Sequence, residues 1–202
     1  MKPMPSPLIL ASASSARATM LRAAGVEIEI VPARVDESEL KLSLKSQDAD
    51  AETTAIALAE LKAIQVSRTR PGRLVLGADQ MLDCDGTWFD KPESRDAARS
   101  QLQALRDKTH RLTSAAVLAR DGQRIWHHAA TARLTMRAFT DPFLEGYLDQ
   151  AGETVLGSVG AYQLEGLGGQ MFRKIDGDFF VILGLPLLAV LDILREQNVL
   201  PR

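Results

Sequence analysis

The stretch LILASASSARATMLRAAGV, Leu8 to Val26, decides the fold. A short apolar run, Leu8 to Ala11, reads as a buried strand, and Ala16 to Ala24 reads as a helix closed by Gly25. Between them lie only small residues, Ser12-Ala13-Ser14-Ser15, with no side chain large enough for a core. The loop holds no glycine, so it is neither a dinucleotide fingerprint nor a Walker loop. Its hydroxyls and backbone N–H groups stand at a helix N-terminus, followed at once by Arg17. Two readings stay open: an anion site at the helix start, or a serine that caps the helix and does nothing more.

Working outward, strands and helices interleave. Glu27 to Val31 reads as a second strand, followed by a polar loop through Asp36 and Glu37. Ala51 to Val66 is a helix, because Ala55, Leu58, Ala59, Leu61 and Ile64 recur near a spacing of 3.6. Pro71-Gly72 breaks the chain before LVLGAD, an apolar strand ending in an acid. Ser94 caps a helix running to Leu105. Leu112 to Ala119 and Ile125 to Arg137 are strands joined by a turn at Asp121-Gly122. Asp141 caps a helix whose first position is Pro142. Gly152 to Gly169 holds six of the 14 glycines and reads as irregular backbone. A strand at Met171 to Ile175 and a helix from Pro186 complete an α/β chain with a mixed sheet.

Composition narrows the function. The chain has 202 residues, 46% of them hydrophobic and 25% charged, which suits one globular domain over residues 1–202. A formal charge of −2 argues against nucleic acid as partner. The one cysteine, Cys84, forms no internal disulfide and no cysteine-rich zinc site. With no secretory signal and no apolar run of membrane-spanning length, the chain is expected to be cytoplasmic and free of membrane. The histidines His110, His127 and His128 lack the spacing of a helical zinc motif and are assigned to neither a metal nor a triad.

The stretch LVLGADQMLDCDGTWFDKP, Leu74 to Pro92, carries the sharpest geometric expectation. Read as a three-residue hairpin loop, Cys84-Asp85-Gly86 pairs Asp83 with Thr87 and sets Asp79 opposite Lys91. A two-residue Asp85-Gly86 turn instead sets Lys91 opposite Gln80. An Asp–Lys pair is either a surface ion pair or a water-activating carboxylate beside a phosphate-binding ammonium. Asp36, Glu37, Lys62 and Arg17 supply further charges, and the glycine-rich Val159 to Gly169 offers Tyr162, Gln163 and Glu165.

Together these segments resemble the Maf family of nucleoside triphosphate pyrophosphatases, nearly end to end. The matching residues are LASASSAR (Leu10 to Arg17), VDE (Val35 to Glu37), LAELKA (Leu58 to Ala63), GAD (Gly77 to Asp79) and KP (Lys91, Pro92). They continue through TH (Thr109, His110), GAYQLEGLGG (Gly160 to Gly169), IDGDFF (Ile175 to Phe180) and GLPL (Gly184 to Leu187). The resemblance implies a mixed, twisted sheet flanked by helices, in two lobes around a nucleotide cleft, often dimeric. It implies hydrolysis of a nucleoside triphosphate to monophosphate and pyrophosphate, dependent on a divalent cation, Mg²⁺ or Mn²⁺. By position, Asp79 matches the catalytic acid, and Arg17, Glu37, Lys62 and Lys91 match phosphate and metal residues, with Glu37 and Asp79 as the metal carboxylates. Ser12 and Ser14 match the first-loop serines. Where the family usually has Ser-Pro-Arg-Arg, this chain has Ser14-Ser15-Ala16-Arg17.

The base is read from three positions. The branch acting on uridine and thymidine triphosphates carries Arg, Thr and Gln, whereas the 7-methyl-GTP branch carries an aromatic, Gln and Glu. Ala16, Gln80 and Glu165 stand here, so two of three resemble the second branch. The expected substrate is 7-methyl-GTP, with dTTP or UTP as the alternative. Two other classes remain beside it: a low-turnover nucleotide-binding regulator of cell division, and a phosphatase acting on monophosphates.

Overall fold

Local chemistry sets most element ends. Ser14 caps α1 (Ser15–Ala23), Asp50 caps α3 (Ala51–Ser67) and Ser94 caps α4 (Arg95–Leu105), each accepting from a backbone N–H three residues on. The structure, a computed structural model, describes residues 6–201. Its first strands are β1 (Leu8–Leu10), β2 (Ile28–Ile30), β3 (Val75–Cys84) and β4 (Thr87–Phe89). After α4 come β5 (Thr109–Arg120), β6 (Gln123–Met136), α5 (Asp141–Ala151), β7 (Phe172–Asp176), α6 (Phe179–Ile182) and α7 (Leu187–Glu196). Hydrogen-bonded neighbours run β2-β1-β3-β5-β6-β7, with β4 beside β3. β1 pairs in parallel with β2 and β3, while β4 and β7 pair antiparallel, so the sheet is mixed as the sequence predicts.

The chain forms two compact units. One takes the described residues up to Asp79, Ser114–Ala130 and the described residues from Gly184; the other takes Gln80–Thr113 and Thr131–Leu183. In the first, Leu8, Ile9, Leu10, Leu58, Val75 and Leu76 are fully buried where β1 and β3 meet α3. In the second, Leu82, Leu102, Leu105, Leu134 and Leu144 are fully buried. Among the described residues, no helix is long and apolar enough to cross a membrane.

Several expectations need correction. The segment after Val35 is no loop: Asp36 accepts from Glu39 N–H at 3.0 Å and caps a helix, α2 (Glu37–Lys45). None of its residues is buried, so no apolar stripe marks it in the sequence. β3 does not end at Asp79 but runs on to Cys84. Thr140, not Asp141, caps α5 through Phe143 N–H, and Pro142 is the second helical residue. The glycine-rich region is ordered in three 3₁₀ turns, Gly152–Gly157, Val159–Ala161 and Leu167–Met171.

The hairpin register also differs from expectation. Cys84 pairs with Thr87 and Asp83 with Trp88, so the loop has two residues, Asp85 and Gly86. Both have positive φ, 52° and 81°, the type I′ geometry whose twist matches the flanking strands. Asp121 and Gly122 repeat it at 52° and 76° between β5 and β6. Lys91 therefore falls in line with Gln80, past the end of β4, and not opposite Asp79.

Candidate active site

Tight packing of α3 on β3 builds the centre of the site. A Cβ at Gly77 would stand 2.1 Å from the Ala59 carbonyl oxygen and 2.7 Å from Ala63 N, so the helix rests on the strand where no side chain intervenes. Asp79 lies two residues along β3 and shares the face of Gly77, and Lys62 lies three residues beyond Ala59. That spacing joins them. Lys62 Nζ donates to Asp79 Oδ1 at 2.5 Å and reaches Glu37 Oε1 at 2.8 Å. Asp79 and Lys62 are buried, whereas the Glu37 side chain is 43% exposed at the first position of α2.

Arg17 supplies the second cation of this unit. It is buried at the start of α1 and aimed by three acceptors. Its Nε donates to the Gly184 carbonyl at 2.8 Å, and its Nη1 to Ser12 Oγ and the Ala78 carbonyl, both at 3.0 Å. Burial pushes the guanidinium pKa down, opposed by the charges of Asp79 and Glu37, and an arginine so placed keeps its charge. Ser12 Oγ also accepts from Ser14 N–H at 3.3 Å, and Ser14 Oγ from Arg17 N–H at 3.4 Å. The serine loop thus does both things the sequence left open: Ser14 caps α1, and Ser12 orients the arginine.

Two cations stand with two carboxylates: Lys62 is paired with both, whereas Arg17 is held by neutral acceptors. The cluster also has an unused acceptor. Asp79 Oδ2 is buried without a hydrogen-bond partner, the one carboxylate oxygen so placed among the described residues. Leaving such an atom unsatisfied costs about 1–3 kcal/mol, a cost that a ligand, a water or a cation would remove. Oxygen donors from one or two carboxylates suit Mg²⁺ or Mn²⁺, which take most remaining positions from water and phosphate. The donor set of Asp79 and Glu37 therefore fits such a cation, although no cluster of three or more ligating side chains occurs among the described residues.

The other residues singled out from sequence are distributed differently. Ala16 is half-buried, the second residue of α1. In the second unit, Gln80 Nε2 donates to the Val181 and Ile182 carbonyls at 3.1 and 3.0 Å, fixing its amide against the end of α6. Lys91 is exposed in the segment after β4, and Glu165 is exposed in the glycine-rich loop. That loop is pinned by Tyr162, whose hydroxyl pairs with His110 Nε2 at 2.6 Å, and by Tyr147, whose hydroxyl donates to the Ala161 carbonyl at 3.1 Å. Burial raises both phenols, Tyr147 to about 12, and lowers His110 to about 4. The Gly184 and Ala78 carbonyls that aim Arg17 carry no side-chain signal; only the glycine of the GLPL run, at φ 104°, hints at the first.

Comparison with known proteins places the sequence in one family. The family profile described as Maf-like protein covers residues 7–197. A protein of Paramagnetospirillum magneticum named nucleoside triphosphate pyrophosphatase is 60% identical over 190 residues, 94% of this chain and 98% of that one. One of Caulobacter vibrioides with the same name is 50% identical over 195 residues, 96% of this chain and 98% of that one. A protein of Brucella abortus named 7-methyl-GTP pyrophosphatase is 46% identical over 191 residues, 95% of this chain and 96% of that one. With the match running through every element from β1 to α7, this chain belongs to the Maf-like protein family.

Proposed function

We propose that this chain is a nucleoside triphosphate pyrophosphatase, cleaving the bond between the α- and β-phosphates to release a nucleoside monophosphate and pyrophosphate. The observation that carries the reading is the buried, unpartnered Oδ2 of Asp79 beside Lys62 and Glu37. The names of the relatives from Paramagnetospirillum and Caulobacter support it. Asp79 positions the attacking water and takes its proton, work for which a carboxylate needs one oxygen not already occupied. Lys62 holds the other oxygen and so fixes the plane of the group. Arg17 offers a rigid guanidinium to phosphate oxygens, and Lys91 adds an ammonium by its match to the family. Glu37 and Asp79 would hold a divalent cation, which would supply positive charge to offset that of the phosphates.

The base reading is 7-methyl-GTP, supported by Gln80 and Glu165 and by the name of the Brucella relative. A carboxylate at Glu165 accepts two hydrogen bonds from the N1–H and exocyclic amine of guanine, and methylation at N7 strengthens both by adding charge.

The test is a panel of triphosphates assayed for pyrophosphate, inorganic phosphate and monophosphate. Pyrophosphate with matching monophosphate is expected, and Asp79→Asn, folded, should lower kcat at least ~10²-fold. Release of inorganic phosphate alone, or unchanged turnover in Asp79→Asn, overturns the assignment.

A further inference from the structure

Gln65 stands one turn beyond Lys62 on α3 and closes a two-point clasp on the main chain. Its Oε1 accepts from Arg34 N–H at 2.7 Å, and its Nε2 donates to the Arg34 carbonyl at 2.7 Å. An amide meeting both backbone groups of one residue reproduces the exchange of a hydrogen-bonded pair in an antiparallel ladder. Arg34 is therefore held like a strand residue where no strand runs. Just before it, Val31 and Ala33 pack on Ile9, Ala11, Val66 and Val75, and Val31 N–H donates to the Leu10 carbonyl at 3.0 Å. Three residues after it comes Glu37, whose own side chain is 43% exposed in its ion pair with Lys62. Such a pair holds a long side chain weakly, so the backbone leading to it must carry the placement.

We infer that Gln65 is a positioning residue, fixing the Arg34 backbone so that Glu37 meets Lys62 beside Asp79. One helix then supplies both the ammonium that bridges the carboxylates and the amide that brings the second carboxylate to it. The inference rests on the proposed function for what Glu37 does once in place, but not for the clasp itself. Because the clasp is exposed, its loss should leave folding nearly intact and act locally.

The test compares the full chain with Gln65→Met, which keeps stem length and helix preference while removing both hydrogen bonds, and with Gln65→Glu, which keeps only the acceptor. Amide hydrogen exchange over residues 34–40 and Mn²⁺ binding by electron paramagnetic resonance are read without substrate. Exchange there should quicken at least ~10-fold in Gln65→Met while α3 and β3 are unchanged. Mn²⁺ affinity should fall roughly 5- to 20-fold, with Gln65→Glu intermediate. In the pyrophosphate assay, half-saturating metal should rise by a similar factor, with kcat largely restored at excess metal. Exchange and Mn²⁺ affinity within twofold of the native protein overturn the inference. So does a Gln65→Met protein that fails to fold, since the clasp would then support the whole unit. If the native protein releases no pyrophosphate from any triphosphate, the functional reading fails, and exchange at residues 34–40 still decides the role of Gln65.

Discussion

At the scale of single residues, the site is organised by what is left unsatisfied. Lys62 neutralises a carboxylate that is 5% exposed, and removing one partner of such a pair costs more than the pair contributes. The pair is thus an obligate unit, with one oxygen of Asp79 left without a hydrogen-bond partner. His110 shows the same logic in the second unit, where burial alone holds its pKa near 4, below the ordinary 6.5. The unfolded chain binds this proton more readily, so His110 lends stability above pH 6.5 that is lost as pH falls toward 4. The interval corresponds to about 3 kcal/mol. Denaturant unfolding at pH 4 to 7 should show His110→Gln losing less stability on acidification than the native protein, by roughly that amount; parallel curves would mean that His110 is accommodated charged. Arg17, Glu37, Lys62 and Asp79 were all legible in the sequence as charges with family counterparts. The carbonyls of Gly184 and Ala78 were not, because a backbone acceptor is exposed by conformation and leaves no trace in residue identity.

At the scale of elements, small residues do the positioning. Gly77 lets the backbone of α3 settle on β3, and through Ala59 this sets where Lys62 reaches Asp79. An added methyl meets the Ala59 carbonyl at 2.1 Å, backbone against side chain, and only movement of the helix relieves it. Gly77→Ala should therefore cost about 1–3 kcal/mol in unfolding experiments. It should also weaken Mn²⁺ binding, because Lys62 and the Arg34 clasp ride on the same helix. A variant as stable as the native chain, with unchanged metal affinity, would show that α3 is not held at this contact. The long helices and β5–β6 were legible from periodicity and turn chemistry. α2 was hidden because it buries nothing, and the β3–β4 register failed for a physical reason: two positive-φ residues make the tighter turn that strand twist favours. The lesson from Asp85-Gly86 is specific, since the same dipeptide makes the same two-residue turn at Asp121-Gly122 between β5 and β6.

At the scale of the whole molecule, the residues proposed for chemistry and for specificity fall largely in different units. Arg17, Glu37, Lys62 and Asp79 belong to the first, with Ala16, and Gln80 and Glu165 to the second, with Lys91; the chain parts at the Asp79–Gln80 bond in the middle of β3. Neighbouring residues of one strand face opposite sides, and here the acid proposed for the reaction is followed at once by a residue proposed for base selection. Substitutions at the two sets should therefore separate: changes at Asp79 lower turnover for every triphosphate, whereas changes at Glu165 alter the ranking of bases. The measurement is kcat/KM for 7-methyl-GTP, GTP, UTP and dTTP on the native protein and on Glu165→Gln. The native order should place 7-methyl-GTP first. Glu165→Gln loses the charge-assisted pair and gains a donor that a uracil carbonyl accepts, so the ratio of 7-methyl-GTP to UTP should fall at least ~10-fold. Ala16 should temper the expected preference, since a methyl group forgoes about 1–2 kcal/mol of stacking on a cationic ring. Ala16→Trp should accordingly raise kcat/KM for 7-methyl-GTP over GTP, the uncharged base serving as the internal control. UTP or dTTP as the best native substrate would leave Gln80 and Glu165 without the role given them, while the pyrophosphatase chemistry of the first unit would stand.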